Sequence, residues 1–141
     1  MWRKLPKLIA KTPEEAIEKG VAGFKLTAGP HFDEEALVLM LKESLARSWR
    51  PAGAARQGMA IAASKDRTWD LGRVRVPSLV IHGLVDPLVQ PSGGTATARA
   101  IPGAKLVMYP DMGHDLPRER WADVVAEITA TARQATQPQL A

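Results

Sequence analysis

Apolar residues recur at three- and four-residue intervals through the first half of the chain, and this spacing predicts amphipathic helices. The first helix is expected at about residues 13–26. Thr12 is placed to cap it, because Pro13 follows at the first helical position and Glu15 lies three residues after the threonine. The acidic first turn also suits the positive end of the helix dipole.

Two more helices are expected before residue 65. Asp33 is predicted to cap the second, whose apolar residues form one stripe: Leu37, Val38, Leu41, Leu45 and Trp49. The third is rich in alanine, starts at Pro51 and ends near Ser64. A Gly-Pro pair separates the first two helices, and an Arg-Pro pair separates the last two.

The pattern changes after residue 70. Residues 76–82 form a short apolar run without alternation, as expected of a strand covered on both faces, and Lys105–Tyr109 predicts a second strand. Ser92 is the expected N-cap of a helix of about two turns between them, so the strands should be parallel with a right-handed crossover. A last helix at about residues 118–134 carries one apolar face: Trp121, Val124, Val125, Ile128 and Ala132.

The composition narrows the class of protein. The 141 residues are 45% hydrophobic and 24% charged, which is typical of one globular domain or part of one. The absence of cysteine excludes a disulfide framework and a thiolate zinc site, and it fits a reducing compartment. Any metal would have to bind histidines and carboxylates, and we expect neither a metal nor another cofactor.

The net charge of +4 raises the question of nucleic-acid or membrane binding. Only residues 1–11 are locally basic, and we interpret them as a solvated face because Pro6 interrupts any amphipathic helix there. No apolar run approaches the length of a membrane span, and the N-terminal stretch is a poor signal peptide. We therefore expect a cytoplasmic protein with no nucleic-acid or membrane partner.

Two polar residues follow the predicted strands. Asp86 lies four residues after the first strand and His114 lies five after the second. Because the carboxyl ends of parallel strands meet at one edge of a sheet, the two side chains should lie close together. A carboxylate bound to Nδ1 of a histidine fixes its tautomer and leaves Nε2 as a general base.

The stretches "VPSLVIHGLVDPLVQPSGG" and "AIPGAKLVMYPDMGHDLP", with the tryptophan-bearing final helix, resemble the C-terminal third of α/β-hydrolase fold enzymes. The likeness is to the esterase-like branch of aclacinomycin methylesterase type. It implies an α/β fold class, with two parallel strands and flanking helices as the C-terminal part of an α/β-hydrolase fold. Residues 1–70 would be a cap- or lid-like helical and connecting segment, and residues 71–141 the strand-helix-strand-helix part of the core.

The resemblance implies that Asp86 is the acid and His114 the base of a catalytic triad. The family's nucleophile lies in a G-x-S-x-G elbow ahead of both. None of the serines has a glycine two residues away on each side: Ser44, Ser48, Ser64, Ser78 and Ser92. We therefore expect the nucleophile upstream of Met1, in a hydrolase of which this chain is the C-terminal portion, and no activity from the chain alone. The substrate would be a small-molecule carboxylic ester, unless the parent is a dehalogenase or epoxide-hydrolase relative with an aspartate nucleophile.

The remaining polar residues near these turns suggest no further site. His82 is interpreted as structural and His31 as a solvated loop residue. Asp111 is interpreted as a turn residue, since its spacing from His114 and Asp115 matches no metal-ligand motif.

A different class of function is a stand-alone, non-catalytic association module. Residues 78–81 contain no charge or proline, so an unpaired edge of this strand would favour self-association. The helices of the first half should also leave apolar residues uncovered, notably Leu37, Leu41 and Leu45.

Overall fold

The computed structural model describes residues 10–136. Its elements in chain order are α1 (Pro13–Thr27), α2 (Glu34–Arg47), α3 (Ala52–Ala63), α4 (Thr68–Leu71), β1 (Leu79–Gly83), α5 (Pro91–Ala100), β2 (Lys105–Tyr109), a 3₁₀ turn (Arg118–Arg120) and α6 (Trp121–Thr136). None of these described helices has both the length and the apolar character needed to cross a membrane. Residues 1–9 of the basic N-terminal stretch lie outside the described residues.

The chain divides into two compact units. The first holds α1, α2 and α3, and the second holds the other elements together with the short segment Ala28–His31.

Capping side chains fix the starts of the first two helices. The Thr12 hydroxyl accepts the Glu15 N–H at 3.2 Å, and the Glu15 carboxylate accepts the N–H of Lys11, one residue before the cap, at 2.7 Å. Asp33 caps α2 by accepting the Ala36 N–H at 2.9 Å. Both caps were predicted, and both satisfy N–H groups that a first helical turn leaves without partners.

The expectation that the leucine stripe of α2 stays uncovered is wrong. Leu37 is only 7% exposed, and Leu41 and Leu45 are half-buried, because α1 packs against α2. Gly20 of α1 allows a close approach, since a Cβ at this position would lie 2.9 Å from a methyl group of Leu41. The large apolar residues of α2 that are exposed are Leu39 and Met40.

The two strands of the second unit pair in parallel, as predicted. Leu79 is opposite Lys105 and Gly83 is opposite Tyr109, with α5 as the connection between the strands. The first strand is shorter than the apolar run suggests. It begins at Leu79 because Pro77 has no N–H to donate, and Val76 before it is 67% exposed.

The predicted start of α5 is wrong. The helix begins at Pro91 and has ten residues, with Gln90 at the N-cap and no side-chain capping bond. Ser92 therefore lies inside the first turn. Proline is well suited to the first helical position, because its φ is already helical and it has no N–H to leave unpaired.

A small core lies between the sheet and the last helix. It consists of Tyr109, Met112 and Val124, against which Ile81 and Val107 pack. Val124 is the only residue of the expected apolar face of α6 that is buried. The larger members of that face are exposed to solvent: Trp121, Val125 and Ile128.

Candidate active site

The turn after β1 and the turn after β2 are joined by backbone contacts. Leu84 donates its N–H to the Tyr109 carbonyl at 2.9 Å, and Val85 donates to the Met112 carbonyl at 3.2 Å. Gly83 is required at this junction, because a Cβ would lie 2.0 Å from the Met112 oxygen. The absence of a side chain at the end of β1 thus lets the two turns meet.

Asp86 lies in the first of these turns and is buried, with 6% of its surface exposed. Its Oδ1 accepts the N–H groups of Leu88 at 2.8 Å and Val89 at 2.9 Å. Its Oδ2 lies 2.8 Å from Nδ1 of His114. Both carboxylate oxygens are therefore hydrogen-bonded: Oδ1 binds the backbone of its own turn, and Oδ2 binds His114.

The pKa of Asp86 reflects two opposing effects. Burial raises it, but the hydrogen bonds from the Val89 N–H, the His114 ring and the Leu88 N–H together outweigh burial and hold the pKa below its ordinary value. The carboxylate is thus ionised at neutral pH and can accept a hydrogen bond from the Nδ1–H group of His114.

His114 lies in the second turn, with 46% of its side chain exposed. Because Nδ1 faces Asp86, the neutral ring carries its proton there, and Nε2 is the nitrogen with a free lone pair. The structure thus brings together the two residues singled out by their positions after the strands. Their arrangement can orient and polarise a general base.

His82 supports the aspartate turn, in agreement with its expected structural role. Its Nε2 donates to the Val89 carbonyl at 2.9 Å. Val89 in turn donates its N–H to Asp86, so a side chain of β1 helps to fix the turn that carries Asp86. Gly94 of α5 lies close to the ring, since a Cβ there would be 2.7 Å from Nδ1 of His82.

His31 lies in a turn between two helices, as predicted, but its side chain is partly buried and paired instead of simply solvated. Its Nε2 lies 2.8 Å from Oδ2 of Asp111, whose carboxylate also binds the Arg120 guanidinium through two bonds of 2.9 and 2.7 Å. Arg120 lies over the Tyr109 ring. No local sequence signal could have paired His31 with Asp111, because 80 residues separate them.

Asp115 was also missed by sequence reasoning. Its Oδ1 accepts the N–H of Gly113 and the N–H of Gly29, each at 3.0 Å.

Within residues 10–136, no group of three histidine, aspartate or glutamate side chains is arranged to hold a metal ion.

The pKa of Asp111 is held well below its ordinary value, first by the hydrogen bonds from Arg120 and then by the contact with His31. In the folded state this carboxyl therefore binds protons only at lower pH than in the unfolded state. Linkage then requires that the stability contributed by Asp111 is present above the unfolded pKa, near pH 4, and is lost as the pH falls.

We expect Asp111→Asn to flatten the loss of stability between about pH 5 and pH 3. Urea unfolding at a series of pH values measures this slope. Asp70→Asn is the matched control, because Asp70 is exposed to solvent in the short helix α4. An Asp111→Asn chain that lost stability as steeply as the unmodified chain would contradict the assignment.

No serine hydroxyl of residues 10–136 is hydrogen-bonded to His114. Ser78 precedes β1 and donates to the Val76 carbonyl. It lies at the opposite end of β1 from Asp86, a distance of about 16 Å for a strand of five residues. Ser92 is an exposed residue of the first turn of α5.

Comparison with known proteins finds one matching family and several similar esterases. Residues 52–134 match the model of the TAP-like protein family. Rhodomycin D methylesterase DnrP of Streptomyces peucetius is 32% identical over 131 residues, covering 90% of this chain and 43% of that protein. The pimeloyl-[acyl-carrier protein] methyl ester esterase of Nitrosomonas europaea is 30% identical over 83 residues, covering 58% of this chain and 33% of that protein.

A solved structure has the same fold. The esterase RhEst1 from Rhodococcus sp. ECU1013 superposes with a TM-score of 0.67 and 22% identity over 96% of this chain and 48% of the esterase. The chain thus spans less than half the length of each of these three proteins.

Proposed function

This chain belongs to the α/β-hydrolase family, and from that premise we propose that it contributes the acid and the base of a serine ester hydrolase. The observation that carries the proposal is the 2.8 Å contact between Oδ2 of Asp86 and Nδ1 of His114 at the carboxyl end of two parallel strands. In this role Asp86 orients the ring, and Nε2 of His114 is the general base.

In the proposed reaction, Nε2 of His114 takes the proton from a serine hydroxyl while the serine oxygen attacks the ester carbonyl carbon. The protonated ring then gives that proton to the departing alkoxide, which leaves as an alcohol. Water attacks the acyl-enzyme with His114 again as base, and this step releases the carboxylic acid and restores the serine. Asp86 remains ionised throughout, because its pKa is low and Nδ1–H stays bound to it.

We place the nucleophilic serine on a polypeptide segment other than residues 1–141. No serine of this chain has the glycine spacing of a nucleophile elbow, and Ser78 lies at the far end of β1. On this proposal the isolated chain holds an acid and a base without a nucleophile. We propose that the outer edge of β1 pairs with a further strand or with a second copy of the chain. No charged residue or proline lies within residues 78–81 to prevent such pairing.

The proposed substrate is the methyl ester of a carboxylic acid on a small molecule. The names of the relatives support this class, since DnrP is a rhodomycin D methylesterase and the Nitrosomonas protein is a methyl ester esterase. Apolar side chains beside the candidate site are solvent-exposed and suit an apolar acid portion: Leu84, Val85 and Leu116. No cofactor, nucleic acid or membrane enters the proposed reaction.

A completed hydrolase tests the proposal. It would join this chain to the part of DnrP that the alignment does not cover, which on this proposal carries the nucleophile. We expect this fusion to release methanol from an apolar carboxylic methyl ester and to leave the corresponding methyl amide intact. A folded fusion that releases no methanol from a panel of such esters would contradict the proposed reaction.

A further inference from the structure

A four-residue segment, Ala28–His31, belongs to the second unit although α1 and α2 flank it in the sequence. We call it the strap. It contacts the turn of residues 111–115, which carries His114 and which we call the histidine turn. Three contacts join the two, of which two are made by Gly29 and one by His31.

The first contact is made through Asp115. Its Oδ1 accepts the Gly113 N–H at 3.0 Å, which closes the backbone around His114 because the acceptor and the donor lie on either side of that residue. The same oxygen accepts the Gly29 N–H of the strap, also at 3.0 Å. The carboxylate that stabilises the histidine turn is therefore hydrogen-bonded to the strap as well.

The second contact depends on the absence of a side chain at Gly29. A Cβ there would lie 2.8 Å from the Asp111 carbonyl oxygen and 2.8 Å from the Gly113 nitrogen, both of which are backbone atoms that cannot rotate away. Gly29 does not have a positive φ, so backbone conformation does not demand glycine at this position. The close approach to the histidine turn is what demands it.

The third contact lies on the other side of Pro30. His31 binds Oδ2 of Asp111 at 2.8 Å, and Arg120 holds the same carboxylate through two bonds. The first residue of the histidine turn is thus fixed from two directions. Pro30 restricts the backbone between Gly29 and His31, so the strap presents both contacts at a set spacing.

We infer that Gly29 and Asp115 are positioning residues for His114, and that the strap holds the histidine turn so that Nδ1 faces Asp86. His114 needs such a restraint, because its ring is half-exposed and, among residues 10–136, its side chain makes one hydrogen bond, to Asp86. The inference rests on the proposed function only for what His114 does, since the geometry concerned is present in the chain by itself.

Nitrogen-15 NMR of the full chain, at a pH where the ring is neutral, measures the ratio of the two His114 tautomers. We expect Gly29→Ala to reduce the ratio of Nδ1–H to Nε2–H about tenfold or more, the factor that follows from loss of a hydrogen bond to a charged group. Gly23→Ala is the matched control, because nothing lies within 4 Å of a Cβ at that position of α1. It should leave the ratio unchanged.

Asp115 provides a second pair of variants that add no atoms at a close contact. Asp115→Ala should reduce the ratio, whereas Asp115→Asn should retain it, because the amide oxygen can still accept both N–H groups. Should Gly29→Ala fail to fold, this pair decides. Folded Gly29→Ala or Asp115→Ala chains with the unmodified ratio would overturn the inference, as would an Asp115→Asn chain that behaved like Asp115→Ala. Failure of the proposed function is a separate outcome, namely a normal tautomer ratio in a completed hydrolase without turnover.

Discussion

Replacing His114 by alanine is expected to lower kcat of the completed hydrolase by about 10⁶-fold, the scale found when a triad base is removed. Asp86 cannot take over the task, since it is buried and its Oδ1 is occupied by two backbone N–H groups. The substrate should still bind, so KM should change far less than kcat. Steady-state hydrolysis of a p-nitrophenyl ester measures both constants.

Two controls separate the loss of a base from the loss of structure. Glu43→Ala, at an exposed position of α2, should keep full activity. Imidazole in solution should restore part of the activity of His114→Ala, because it can enter the vacated space and act as the missing base. A His114→Ala fusion that kept near-normal kcat would show that another group is the base.

Asp86→Asn is expected to lower kcat by about 10⁴-fold, although asparagine has almost the same shape as aspartate. Oδ1 faces the N–H groups of Leu88 and Val89, so the amide oxygen of asparagine must occupy that place. The amide NH₂ then faces His114 and donates to Nδ1. The ring is forced to carry its proton on Nε2, the nitrogen that must accept a proton from the nucleophile.

The matched control is Asp33→Asn. Asp33 also accepts a backbone N–H, at the start of α2, and asparagine caps helices as well as aspartate does. Its activity and its unfolding should be close to those of the unmodified chain. Equal activity of the Asp86→Asn and Asp33→Asn fusions would mean that Asp86 is not the acid.

The parts of the fold that follow from local pattern were predictable. β2 was predicted at its observed bounds, Lys105–Tyr109, because an apolar run this short, flanked by turn residues, is too short for a typical helix. The α/β fold class, as part of an α/β-hydrolase fold, is confirmed by the match of residues 52–134 and by the superposition on a solved esterase. The meeting of Asp86 and His114 was predictable because parallel strands end at a common edge.

The details that failed depend on packing or on distant partners. Ser92 is a better capping residue than Gln90, yet Pro91 starts α5 two residues earlier than the serine suggests. Leu37 was expected to be uncovered, but it is buried in the unit in which α1 packs against α2. The strap could not be predicted, because Gly29 and Asp115 are 86 residues apart. Their contact also uses a backbone N–H, which every residue except proline has and which therefore gives no signal in the sequence.

Ester hydrolysis by the isolated chain, compared with that of the completed hydrolase, tests the central claim most directly. We predict that the isolated 141-residue chain hydrolyses a p-nitrophenyl ester no faster than its own His114→Ala variant, because a base without a positioned nucleophile has nothing to activate. The completed hydrolase should turn the ester over and should lose that turnover with His114→Ala. Turnover by the isolated chain that disappears with His114→Ala would contradict the claim, since the nucleophile would then lie within these residues.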